Sequence, residues 1–116
     1  FSAKDVSGLK VVTASRENTD ANDLRKLGDF LRDKTPNTVA ALGSVNGEKV
    51  TLLAVCGKNA IARGIKAGDI IRNIAPIVGG KGGGKPDSAM GGGTNALKLD
   101  DALAAVDDFV SANVKE

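Results

Sequence analysis

Hydrophobic positions along the chain change their spacing several times, and each change marks an element. Residues 9–15, LKVVTAS, read as a strand centred on Val11 and Val12. The stretch NTDANDLRKLGDFLRDKTP then takes helical spacing, with Leu24, Leu27 and Leu31 on one face and Phe30 alongside. Asp20 suits the N-cap, Asp23 suits the positive end of the helix, and Pro36 stops it. Two apolar runs follow, 38–45 and 48–56, on either side of Asn46-Gly47. That pair is a strong hairpin signal and predicts a type I′ turn, which needs positive φ at both central residues. Both runs are apolar at nearly every position, so the sheet they form should be covered by helices on both faces. A strand, a helix and a strand in succession imply a parallel pair with a right-handed crossover.

A second helix is predicted over residues 67–78, with Ile70, Ile71, Ile74, Ile77 and Val78 as its stripe. Pro76 removes a backbone donor there, so the last turn should be irregular, with Gly79 or Gly80 at C′. A last helix spans 99–114, burying Leu99, Leu103, Val106 and Val110 and placing Asp100 and Asp101 in its first turn. The fold expected is α/β: one small domain, a mixed sheet of about four strands, helices packed on both faces.

Between the last two helices lies GGKGGGKPDSAMGGG, residues 79–93, with eight glycines in fifteen positions. Glycine is costly to order, so such a tract is a linker or a site. Sequence on both sides belongs to one core, which predicts a structured loop. The 116-residue length fits one domain, and the first residue, Phe1, suggests a piece cut from a longer chain. No apolar run reaches the length of a membrane span, and the start does not resemble a signal peptide. Cys56, the one cysteine, cannot form an internal disulfide and is read as buried packing in a cytoplasmic protein. There is no histidine, which removes His-based catalysis and the common zinc sets.

Net charge is only +2, yet it is unevenly spread. Residues 57–87 hold six cations, Lys58, Arg63, Lys66, Arg72, Lys81 and Lys85, against Asp69 and Asp87, a balance of +4. Residues 98–116 hold five acids against Lys98 and Lys115, a balance of −3. A basic block beside a glycine tract points to an anionic partner, and a solvated surface is the plain alternative. Lys85 precedes Pro86, not Ser or Thr, so the tract is not a Walker loop. Gly91 to Ala96 can be aligned with a dinucleotide fingerprint, but no suitable strand precedes it. Residues 79–85 follow a helix C-terminus, so anion binding there would rest on Lys81, Lys85 and exposed backbone N–H groups. Gly91, Gly92 and Gly93 suit close packing equally well.

The string VGGKGGGKPDSAMGGGT resembles the C-terminal domain of the alanyl-tRNA synthetase family. Gly79, Gly80, Lys81, Gly82, Gly83, Gly84, Pro86, Asp87, Ala89, Gly92 and Gly93 match its pattern, and Lys85 stands where arginine is usual. The segments LRKLGDFLRDK, VAALGSVNGEKVTLLAV and IKAGDIIRNIAPIVGG extend the likeness over nearly the whole chain. The resemblance implies a DHH-associated-domain-like fold and an RNA-binding module that contacts the outer corner of tRNA. It implies no catalysis by this segment and no metal or cofactor in it; ATP, magnesium and zinc belong to upstream domains of the parent ligase. Partners implied are alanine-accepting tRNA and those upstream domains, with self-association as a further use and no membrane. The residues expected to meet RNA are Gly79, Gly80, Lys81, Gly82, Gly83, Gly84 and Lys85, with Arg63, Lys66 and Arg72. DHH-family phosphoesterases share the fold but carry Gly-Gly-Gly-His, whereas Gly82-Gly83-Gly84 is followed here by Lys85.

Overall fold

The structure is a computed structural model and describes residues 2–115. Its centre is one sheet of six strands: β1 (Ser2–Val6), β2 (Leu9–Glu17), β3 (Thr38–Asn46), β4 (Lys49–Cys56), β5 (Lys81–Gly84) and β6 (Ser88–Gly93). Their spatial order is β1-β2-β3-β4-β6-β5. Only β2 and β3 run parallel; all other neighbours are antiparallel. The parallel pair is joined by helix α1 (Ala21–Lys34), as the strand–helix–strand pattern requires. The mixed sheet with helices on both faces is as expected, but with six strands instead of about four.

Strict alternation along the strands divides the core into two layers. Val39, Ala41, Val50, Leu52 and Ala54 face one side, where α3 (Ala67–Ile74) and α4 (Leu99–Asn113) pack. Ala40, Leu42, Leu53 and Val55 face the other, where α1 supplies Leu24 and Leu31. The first seven residues of β3 are buried, which is why that run reads as uniformly apolar. The stripe Leu99, Leu103, Val106, Val110 of α4 is buried as predicted. A short helix, α2 (Lys58–Ala62), leads into α3.

Three details differ from the sequence reading. Phe30 lies 57% exposed, with the Lys34 ammonium 4.8 Å from its ring centre, and takes no place in the α1 core face. Gly28 takes it: a methyl there would come within 2.6 Å of Leu53 Cδ2, so α1 sits unusually close to the sheet. The β3–β4 turn is shifted by one residue. Asn46 pairs with Lys49, so Gly47 and Glu48 are the central residues, and only Gly47 has positive φ, +63°. That is the pattern of a II′ turn, with glycine at its first central position.

The start of α1 is fixed as predicted. Asp20 accepts a hydrogen bond from the Asp23 N–H at 2.8 Å. Buried Ser44 on β3 donates to the Thr19 carbonyl at 2.6 Å, tying the helix entry to the sheet. Helix α3 stops at Ile74 and tightens into a 3-10 turn over Ala75–Val78, which accommodates Pro76. Gly79 then takes left-handed φ of +72° and ends the element. Among the described residues no helix is long and apolar enough to cross a membrane.

Candidate nucleic-acid interface

The glycine tract is not a loop. Lys81–Gly84 and Ser88–Gly93 form the β5–β6 hairpin, and β6 inserts beside β4. Nothing in the local sequence predicts this, because glycine disfavours strands and has no side chain to alternate. The strands form because β4 offers an open ladder, and because α3 lies against the hairpin so closely that side chains would collide. A methyl on Gly82 would come within 2.8 Å of Ile71 Cγ2, and one on Gly91 within 2.7 Å. A methyl on Gly93 would overlap the Val78 carbonyl. Most of these glycines are therefore required by packing. Gly83 is the exception within β5: a methyl there would find its nearest atom, the end of the Arg72 side chain, at 3.6 Å.

The turn carrying Lys85 is tied at several points. Its N–H donates to Ser88 O at 3.0 Å. Pro86 O accepts from Ala67 N–H at the start of α3, at 2.8 Å, and Asp87 O accepts from Cys56 N–H at 3.1 Å. The Asp87 carboxylate also faces Arg32 of α1 at 3.7 Å, and Arg32 pairs with Asp29 at 3.1 Å. Lys85 thus stands on a turn fixed to β4, α3 and α1 together. Both Lys81 and Lys85 are exposed. β5 is the outermost strand, so one side of its backbone has no strand partner.

Of the cations singled out from sequence, Lys66 and Arg72 come near the hairpin. Lys66 directly precedes α3, next to the Ala67–Pro86 bond. Arg72 reaches towards Gly83 while pairing with Asp69 at 3.4 Å. Arg63 does not join them. Its Nε donates to Lys115 O at 2.9 Å, and its Nη1 donates to Ser7 O in the β1–β2 turn. It ties the chain's last residues to the sheet edge opposite β5. Two cations that sequence reading passed over do lie beside the hairpin. Arg25 of α1 lines a groove of about 430 Å³ with Gly83, Lys85 and Met90. Lys49 lines a second groove, of about 670 Å³, with Gly80, Lys81 and Gly92. No sequence signal marks them, because β6 reaches β4 from far along the chain.

Cys56 ends β4 and is 1% exposed. Burial, and then the Asp87 and Asp69 carboxylates, push its thiol up to about 12. It is neutral packing at physiological pH and a poor nucleophile.

This hairpin-bearing α/β sheet defines a class. Residues 8–112 match the DHHA1 domain profile, and the chain belongs to that family. The relatives it resembles are alanine–tRNA ligases. That of Acidovorax sp. (strain JS42) is 48% identical over 112 residues, covering 97% of this chain and 13% of that protein. That of Alkaliphilus oremlandii (strain OhILAs) is 42% identical over 105 residues, covering 90% and 12%. The chain therefore spans about an eighth of the length of the curated relatives it matches. Among solved structures, the C-Ala domain from Aquifex aeolicus alanyl-tRNA synthetase superposes with a TM-score of 0.89 at 27% identity, covering 96% of this chain and 99% of that one. A DHH-domain member of the s1p family of ribosomal proteins superposes at 0.62 with 11% identity, covering 99% of this chain and 28% of that one, a likeness of fold alone.

Proposed function

We propose that this chain is the RNA-binding C-terminal module of an alanine–tRNA ligase, docking the outer corner of tRNA and helping present it to upstream aminoacylation and editing domains. The observation that carries the reading is the glycine hairpin. It is an edge element mounted rigidly on three others, with Lys81 and Lys85 exposed and free of ion pairs among the described residues. Contacts of this kind go to phosphate and ribose and read shape more than sequence. The chain's three aromatics are all Phe, which leaves little for base stacking. The partners proposed are tRNA and the upstream domains of a cytoplasmic enzyme. Catalysis, and the ATP, magnesium and zinc that serve it, are assigned to those domains.

The test is a titration of this chain with folded tRNA and with ATP, beside an assay for phosphodiester cleavage with added manganese. Weak, salt-sensitive tRNA binding is expected, with weaker binding of ATP and no cleavage. Robust cleavage, or ATP bound more tightly than tRNA, would move the phosphoesterase reading to first place.

A further inference from the structure

The two faces of the β5–β6 hairpin are not alike. One is closed by α3, with Ile71 against Gly82 and Gly91. The other continues the sheet face on which α1 lies, and α1 does not reach across it. Register defines what stands there. Leu53 packs against α1 and pairs with Met90, which pairs with Gly83. Two residues along, Thr51 pairs with Gly92, and Gly92 with Lys81. Lys49 is two residues before Thr51, so it shares the face. All four floor residues, Met90, Gly83, Gly92 and Thr51, are half-buried; Met90 reaches back to the α1 core cluster and Gly83 lies beside the Arg72 side chain.

Four cations frame this floor. Arg25 and Lys85 stand at one end, in the 430 Å³ groove, and Lys49 and Lys81 at the other, in the 670 Å³ groove. All four are exposed, and none makes an ion pair among the described residues. Four other cations are ion-paired: Lys4 with Asp107, Arg32 with Asp29 and Asp87, Arg72 with Asp69, and Lys98 with Asp101. Two acids border the face. Asp87 is already held by Arg32, and Glu48 adjoins Lys49 in the second groove. The main acidic surface, Asp100, Asp107 and Asp108 of α4, belongs to a helix packed on the opposite side of the sheet. Four cations against two acids leave this face net positive.

We propose that this α1-side face is where RNA lies, with Arg25 and Lys85 holding phosphates at one end, Lys49 and Lys81 holding phosphates at the other, and the sugar–base surface between them resting on Met90 and the glycine backbone. The inference rests on the RNA-binding reading above and adds to it the face, its direction and two residues, Arg25 and Lys49. A floor in which Met90 is the one long side chain beside glycines lets a broad backbone approach closely, and unpaired cations at both ends suit a partner with regularly repeated charge. Lys81 and Lys85, four residues apart, are separated by about 13 Å along the strand direction, enough to engage separate phosphates.

The experiment is a titration of tRNA with the wild-type chain, Arg25→Ala/Lys49→Ala, Lys81→Ala/Lys85→Ala and Lys4→Ala/Lys10→Ala, at several salt concentrations. The last pair removes the same charge from the β1–β2 edge. For Arg25→Ala/Lys49→Ala the slope of log affinity against log salt should fall by about 1.5, and affinity at low salt by at least tenfold. Lys4→Ala/Lys10→Ala should keep the wild-type slope. Equal losses in Arg25→Ala/Lys49→Ala and Lys4→Ala/Lys10→Ala would show an effect of net charge and overturn the proposal. Arg25→Ala/Lys49→Ala binding like wild type, while Lys81→Ala/Lys85→Ala loses affinity, would overturn this face and leave RNA binding standing. A wild-type chain that binds no tRNA would overturn the RNA reading itself.

Discussion

Gly93→Ala is expected to destabilise the protein by about 3 kcal/mol, lowering its melting temperature by about 10 °C. The new methyl would overlap the Val78 carbonyl and come within 2.9 Å of Val78 Cγ2. Neither neighbour can yield easily. Val78 closes the 3-10 turn after α3, and its carbonyl accepts from both Thr94 N–H at 3.0 Å and Asn95 N–H at 2.9 Å. Moving it loosens the junction that sends the chain from β6 towards α4. Gly83→Ala is the matched control. It adds the same methyl two strand positions from the fixed turn, where the nearest atom is a mobile guanidinium end at 3.6 Å. Its melting temperature should stay within about 3 °C of wild type, since a half-buried methyl that meets only a movable side chain costs about 0.5 kcal/mol. Circular dichroism melts of the two variants decide the matter. Equal melting of Gly93→Ala and wild type would show that the glycines are not there for packing.

The second large effect is on binding. Lys81→Ala/Lys85→Ala should fold as wild type, because both side chains are exposed and make no ion pair among the described residues. Affinity for tRNA should nevertheless fall, most visibly at low salt. Each lost phosphate contact lowers the salt slope by about 0.7 to 0.9, so the pair should lower it by about 1.5. An unchanged affinity and slope would move the contact away from the hairpin, to Lys66 and Arg72 beside α3. Arg63 is a poor substitute, since its guanidinium is already committed to Ser7 and Lys115.

Much of the fold was legible because side chains alternate visibly. The stripes of α3 and α4 and the two runs beside Asn46-Gly47 announced themselves by spacing. The turn lies one residue further on than the sequence predicts, because Asn-Gly reads as a central pair, whereas Gly47 alone supplies the positive φ. Phe30 reads as lying alongside the Leu24–Leu31 face because apolar residues are counted by type, whereas it is exposed. Gly28, with no side chain, could not be seen as the point where helix and sheet touch. The hairpin was hidden for the same reason on a larger scale. In β5 and β6 most of the buried surface is backbone, and Ala89 and Met90, which reach the two core layers, are too few to mark a strand. The candidate site was half legible. Lys81 and Lys85 could be named from the motif, and Lys66 and Arg72 from the basic block. Arg63 shared that block but is carried to the far edge, while Arg25 and Lys49 arrive from remote segments. Charge counted along a chain does not reveal which strand will neighbour which.

The central claim is that RNA meets the β5–β6 hairpin, and amide chemical-shift mapping tests it most directly. Adding tRNA to the 15N-labelled chain should shift and broaden signals from Lys81 to Ser88, with Met90, Gly92, Arg25 and Lys49. Signals of β1, of the β1–β2 turn and of α4 should stay in place. Perturbations confined to β1 and α4, with the hairpin signals unmoved, would contradict it.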